Sequence, residues 1–181
     1  MFDVLIQKRR SIRSYSEKEV EKEKIDMLIE AALRSPSSRG FNPWKFIVVT
    51  DKDLLEKLAS AKPHGASFLK NAQLGFVVCA DPEISDVWVE DTAIATIFVQ
   101  LAAESAGLGS CWIQIRKRMH NETKSAEAYI SELLDIPDNL KVESMIAIGY
   151  PDEVKLPHKK ADLHYEKIFH DTYGNSYCSE N

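Results

Sequence analysis

The chain has 181 residues, and its composition, 44% hydrophobic and 28% charged, is ordinary for a single soluble domain over residues 1–181. A formal net charge of −5 argues against nucleic acid as the main partner. No apolar run approaches the ~18 residues of a membrane span, and residues 1–13 lack the apolar segment of a signal peptide. We therefore expect a cytoplasmic protein that binds neither nucleic acid nor a membrane.

Cysteine and histidine usage predicts neither disulfides nor a metal site. Cys79, Cys111 and Cys178 form no disulfide framework and no Cys-x-x-Cys pair, so reduced thiols fit best. Cys178 stands where a prenylated cysteine would, but the polar residues after it do not fit that motif. The five histidines lie mostly in polar stretches, and the six-residue spacing of those in the tail does not suit ligands on one helix face.

Hydrophobic periodicity predicts five helices and leaves residues 63–72 ambiguous. A core-facing stripe runs from Ile25 to Leu33, and that helix must end before Pro36. The longest helix begins at Asp91 and is apolar on most sides, which is typical of a helix in a core or at a subunit interface. The predicted helices span about residues 3–9, 25–33, 51–60, 91–106 and 123–134.

Four apolar runs predict strands, at about residues 45–50, 74–80, 110–115 and 142–150. The run from Leu74 to Ala80 is nearly all apolar, so we expect it at the centre of its sheet. The tail, from about 152 to 181, is polar and carries too few apolar residues for a core of its own. We expect this tail to pack on a partner subunit.

The loop of residues 34–44 joins the second predicted helix to the first strand. Two prolines and a glycine exclude regular structure within it. Its serines and Asn42 offer hydrogen bonds beside the aromatic surface of Phe41 and Trp44, a combination that suits a flat ligand with polar edges. An ordinary connector rich in serine, proline and glycine is the alternative interpretation.

An arginine cluster follows the first predicted helix. Arg9, Arg10 and Arg13 place three guanidinium groups within five residues of an acidic protein. Arginine forms paired hydrogen bonds with phosphate, and the Ser11 hydroxyl with free backbone N–H groups completes a candidate anion site. A solvated charge cluster is the alternative.

The glycines Gly107 and Gly109 stand between the longest helix and the third strand. A dinucleotide-binding fingerprint requires a strand before its glycines and a helix after them, so we reject that motif. No Gly-x-Ser-x-Gly nucleophile turn is present either. Cys111 and Trp112, which follow, either pack in the core or belong to a strand whose backbone amides face a ligand ring.

Taken together, these segments resemble the FMN-dependent nitroreductase family. The likeness rests on four stretches in the family's order: Arg9-Arg10-Ser11-Ile12-Arg13, residues 35–38 with 42–44, residues 106–113, and Ile148-Gly149-Tyr150-Pro151. The resemblance implies an α+β fold with a mixed, mainly antiparallel central sheet flanked by helices on both faces. It also implies an interlocked homodimer with FMN at the subunit interface.

The resemblance further implies a set of cofactor-binding residues. The full set is Arg9, Arg10, Ser11, Arg13, Pro36, Ser37, Ser38, Asn42, Trp112, Ile113, Gln114, Lys159 and Lys160. By match, the first three hold the phosphate, and Arg13 reaches either the phosphate or the N1–C2 edge of the flavin. The loop residues 36–38 would come from the opposite subunit and contact the ring or ribityl chain, and residues 112–114 would lie along the ring's other side.

The basic residue after the last strand, Lys159 or Lys160, would reach the phosphate. Two features depart from the family pattern. Arg39, Gly40 and Phe41 stand where many members have Asn or Gln. The segment around Lys70 and Asn71 diverges too far to assign a ribityl contact.

The implied activity is an FMN-dependent NAD(P)H oxidoreductase that works by a ping-pong mechanism. NAD(P)H supplies a hydride, and an electron-poor acceptor such as a nitroaromatic or a quinone then receives it. Flavin N5 carries the chemistry, so no catalytic side chain is expected. The alternatives are a specialised flavin reaction, such as dehalogenation or flavin destruction, and a flavin-binding or phosphoanion-binding module without turnover. No sequence feature names the acceptor or distinguishes NADH from NADPH.

Overall fold

A four-stranded sheet forms the centre of the computed structural model, which describes residues 2–177. Its strands, in the spatial order β1-β2-β4-β3, are β1 Trp44–Val49, β2 Leu74–Ala80, β3 Gly109–Gln114 and β4 Lys141–Gly149. All three neighbouring pairs are antiparallel, and one parallel bridge joins Ser11 to Ser110 at the edge of β3. The predicted α+β class with a mainly antiparallel sheet is confirmed, and the prediction about Cys178 lies outside the described residues.

Five α-helices surround the sheet: α1 Phe2–Lys8, α2 Lys22–Leu33, α3 Lys52–Ala59, α4 Trp88–Ser105 and α5 Ala126–Leu133. Both α2 and α4 begin three residues before the predicted start. Periodicity misses these first turns because their residues face solvent or precede the apolar stripe. The ambiguous residues 63–72 contain a 3₁₀ helix, Ser67–Asn71, with Leu69 buried. None of the helices between residues 2 and 177 combines the length and apolar character that crossing a bilayer requires.

The helices cover both faces of the sheet because successive strand side chains point to opposite sides. On one face α3 and α5 pack their apolar residues against Val77 and Met145, while on the other α2 and α4 pack against Phe76 and Ile146. Every residue of β2 is buried, as expected for a central strand. The arrangement leaves β1 and β3 at the two edges of the sheet.

The arginine cluster lies in a segment, residues 9–16, that runs between the β3 edge and the chain after β4. The Ile12 amide donates to the Ser110 carbonyl at 3.0 Å, and the Ser16 amide donates to the Tyr150 carbonyl at 2.9 Å. A Cβ at Gly109 would lie 2.8 Å from Ile12 side-chain atoms. Glycine is therefore required there for the close approach that seats the segment.

We predict that Gly109→Ala destabilises the fold by about 1–3 kcal/mol, because the new methyl overlaps a branched side chain next to its own backbone. Equilibrium denaturation checks this value. Gly75→Ala is the matched control in β2, since its methyl would meet the end of the Leu55 side chain at 3.0 Å and Leu69 and Val49 only at ordinary contact distances of 3.6 and 3.8 Å. An equal cost for the two variants would contradict the close-packing argument.

Candidate functional site

Residues 9–13 present their charged side chains outward because Ile12 points inward. The Arg9 amide still bonds to the Leu5 carbonyl at 2.9 Å, so the last turn of α1 sets its direction. Ile12 is only 8% exposed, whereas Arg9 and Arg10 are half-buried and Arg13 is exposed. The core position of Ile12 thus fixes which way the arginines face.

The three guanidinium groups form no salt bridge with any carboxylate of residues 2–177. Arg10 donates instead to the Leu156 carbonyl. The guanidinium carbon of Arg13 lies 5.7 Å from the centroid of the Phe68 ring, a cation–π arrangement. Ordered but unneutralised guanidinium groups have the donor chemistry that a phosphate dianion requires, so the segment fits the phosphate of FMN.

The strand β3 lies directly beside this segment. Trp112 Nε1 donates to Gln114 Oε1 at 3.1 Å, and Gln114 Nε2 donates to the Arg116 carbonyl at 3.1 Å, which fixes both half-buried side chains. Ile113 points to the opposite face, where its side chain is fully buried in the core. Any contact of Ile113 with a ligand must therefore use its backbone.

Two buried acidic groups near the segment remain protonated. Burial raises the pKa of the Cys111 thiol, and the nearby Arg13 only partly offsets this effect. Burial also raises the pKa of Tyr15 far above its ordinary value, and its hydroxyl donates to the Ile12 carbonyl at 2.5 Å. Neither group has the properties of an activated nucleophile.

The loop of residues 34–44 is held by its own serine and by α4. Ser37 Oγ donates to Asn42 Oδ1 at 2.7 Å and accepts the Asn42 amide at 2.9 Å. The Ser38 amide donates to Asp91 Oδ1 at 2.8 Å, and Ser85 donates to the other oxygen of this buried carboxylate at 2.9 Å. This contact of Asp91 with the loop was not predictable from the sequence. The one available signal was an acidic residue in the first turn of a helix.

Within one chain, this loop and the arginine segment lie at opposite corners of the sheet. The loop enters β1 at Trp44, which pairs with Ala80, whereas the arginine segment touches Gly109 and Gly149 at the other end and the other edge. Strand spacing alone separates these corners by about 14 Å across the sheet, and the seven residues between the levels of Trp44 and Gly109 separate them by about 24 Å along it. Pro36, Ser37, Ser38 and Asn42 therefore do not join the arginines within a single subunit.

In the chain after β4, Lys155 contacts the arginine segment, whereas the predicted contacts were Lys159 and Lys160. Lys155 Nζ donates to the Ser11 carbonyl at 2.7 Å. Lys160 lies in a short 3₁₀ helix, Lys160–Asp162, with Lys159 at its N-cap. In the described part of the chain, no hydrogen bond joins Lys159 or Lys160 to residues 9–13.

The segment that the sequence could not place borders the arginines. Phe68 lies under Arg13, and the same 3₁₀ helix continues to Lys70 and Asn71. These two residues line an open polar cavity of about 480 Å³ that also includes Tyr15. The local sequence gives no periodic signal that residues 67–71 lie near Arg13, because this proximity depends on contacts between distant segments.

Comparison with known proteins agrees with this geometry. The nitroreductase family model matches residues 6–74 and 60–150. A solved FMN-dependent nitroreductase from Clostridium difficile R20291 is 48% identical, with a TM-score of 0.92 over 93% of this chain and 98% of that one. An Archaeoglobus fulgidus protein, provisionally named NADH dehydrogenase/NAD(P)H nitroreductase, is 41% identical over 83% of this chain and 86% of its own length. An FMN reductase (NADPH) of Bacillus subtilis is 27% identical over 92% of this chain and 71% of its own length.

The chain therefore belongs to the nitroreductase family, as its sequence motifs indicated.

We predict that Arg9→Ala weakens FMN binding by about 1.5–3 kcal/mol, the range for a hydrogen bond to a charged group. Titration of the apoprotein with FMN, followed by flavin fluorescence, measures this change. Lys22→Ala is the control, because Lys22 is an exposed basic residue at the start of α2, outside the loop and the arginine segment, and pairs with Asp26. Unchanged FMN affinity in Arg9→Ala would show that the cluster is only a solvated surface feature.

Proposed function

We propose that this protein is an FMN-dependent oxidoreductase that uses NAD(P)H to reduce an electron-poor acceptor of the nitroaromatic or quinone type. The observation that carries the proposal is the set of guanidinium groups beside β3, which have no carboxylate partner among residues 2–177, in a chain of the nitroreductase family. The names of its relatives, FMN-dependent nitroreductase and FMN reductase, support the cofactor and the reductant. The activity and cofactor predicted from the sequence agree with these relatives.

The residues of this chain bind and orient the cofactor. Arg9, Arg10 and Ser11 hold the phosphate dianion through charge-assisted hydrogen bonds. Arg13, stacked on Phe68, stabilises negative charge at the N1–C2 edge of the flavin. Bound FMN supplies hydride transfer at N5. The protonated states of Cys111 and Tyr15 are consistent with a site that needs no protein nucleophile.

The hydrogen-bonded side chains of Trp112 and Gln114 mark the β3 side of the ring site. A flavin held beside β3 would supply hydride transfer between two substrates that bind in turn at one site. This sharing gives ping-pong kinetics. Lys159 and Lys160 remain candidates for a phosphate contact.

A second copy of the chain completes the site in this proposal. Exposed apolar residues on α1 and α4, including Phe2, Ile6, Ile97 and Phe98, form one surface around an open cavity of about 630 Å³. Contiguous apolar surface of this kind is typical of a protein interface. Burial of this surface in a homodimer brings the loop of residues 34–44 from one subunit to the arginine segment of the other. The tail, described here for residues 152–177, then packs on the partner.

We place the protein in the cytoplasm, where its buried free thiols Cys79 and Cys111 stay reduced.

We predict that the FMN-loaded protein is yellow, absorbs near ~450 nm and bleaches when NADH or NADPH is added without oxygen. A quinone or nitroaromatic added next should restore the colour, and initial rates should give the parallel double-reciprocal lines of ping-pong kinetics. Stopped-flow absorbance measures both half-reactions. A protein that binds FMN but does not bleach with either nucleotide would be a passive flavin-binding module.

A further inference from the structure

A carboxylate from the chain after β4 holds the backbone of the arginine segment. Glu153 Oε1 accepts the amide of Arg13 at 2.5 Å and the amide of Ser14 at 3.1 Å. These two amides belong to the exposed Arg13 itself and to the residue after it, so the bonds fix the backbone that carries the Arg13 side chain. A carboxylate that accepts backbone N–H groups makes charge-assisted bonds, which are stronger than neutral ones.

Lys155 fixes the same backbone at a third point. Its ammonium group lies 3.2 Å from Glu153 Oε1 and donates to the Ser11 carbonyl at 2.7 Å. The side chains of Lys155 and Glu153 are only 26% and 27% exposed, so water competes weakly for these bonds. The Arg13 amide is the main cause that lowers the pKa of Glu153, and Lys155 acts in the same direction, so the carboxylate is charged at neutral pH.

The acidic group does not neutralise the arginines. Although Glu153 stands among Arg10, Arg13 and Lys155, it forms no salt bridge with a guanidinium group in the described part of the chain. Its hydrogen bonds go to backbone amides and to one lysine. Because Glu153 bonds to these backbone amides and to Lys155, it orders the segment and leaves the guanidinium groups available to an anion.

We propose that Glu153 and Lys155 are positioning residues, which hold the backbone of residues 11–14 so that Ser11 is kept in place for the phosphate of FMN and Arg13 for the flavin edge. This inference rests on the proposed binding of FMN. The pair acts locally, because other bonds keep the segment in place without it. The Asp152 amide donates to the Ser14 carbonyl at 2.9 Å, and the Ser16 amide bonds to Tyr150.

The test compares Glu153→Ala with Glu153→Gln in the full-length apoprotein, titrated with FMN by fluorescence. Glutamine keeps a carbonyl oxygen for the two amides, so its FMN affinity should fall no more than about threefold, whereas alanine should lose about tenfold or more. The melting temperature of both variants should stay within a few degrees of the parent protein. Glu132→Ala, which removes an exposed carboxylate of α5 that pairs with Lys124, is the control and should change nothing.

A double-mutant cycle with Lys155→Met separates a shared role from two independent ones. If the pair acts together, Lys155→Met costs less FMN affinity in the Glu153→Ala background than in the parent. Additive losses, or equal losses for alanine and glutamine at position 153, would overturn the inference. If the parent protein itself binds no FMN, the proposed function fails instead.

If Glu153→Ala does not fold, amide hydrogen exchange in the parent protein tests the inference instead. The inference requires that the amides of Arg13 and Ser14 be protected in the FMN-free parent protein. Rapid exchange at both amides would overturn it.

Discussion

The attachment of the arginine segment to the edge of β3 is the constraint on which the rest of the structure depends. Ile12 packs against Gly109, and its amide bonds to the Ser110 carbonyl. With Ile12 fixed inward, the flanking arginines must face outward. The chain after β4 closes over the other side of the segment through Glu153 and Lys155. The cluster of like charges is thereby held in place, and its guanidinium groups have no carboxylate partner among residues 2–177.

The arginine segment and the loop of residues 34–44 lie at opposite corners of the sheet, which supports the proposal that a second subunit completes the site. The loop of residues 34–44 is held by a hydrogen bond to Asp91, and it joins the sheet at the opposite corner, at Trp44. Two ordered half-sites on one chain, together with an apolar surface on α1 and α4, are what a two-fold homodimer requires. In the homodimer that we propose, the flavin would lie between two subunits, and its binding would depend on association.

Much of the fold could be predicted from the sequence, because each helix and strand carries its own hydrophobic period. The arginines and the serine loop were also recognisable, since guanidinium clusters and loops rich in proline and serine are local features. Glu153 was not, because it contacts residues about 140 positions away and stands in a polar tail without any pattern. The contact of Lys155 with the Ser11 carbonyl was not predictable for the same reason, and the assignment of Lys159 and Lys160 stays a prediction. The burial of Ile113 beside Trp112 follows from strand alternation, which the family resemblance alone does not express.

The most direct test of a shared site is complementation in mixed dimers. One chain carries Arg9→Ala with Arg13→Ala, and the other carries Ser37→Trp, which blocks the loop. Each variant alone should bind FMN poorly, because both of its sites contain a defective half. A mixed dimer contains one site built from two intact halves, so purified heterodimers should recover about one FMN per dimer. Heterodimers that bind no more FMN than either parent variant would contradict the account.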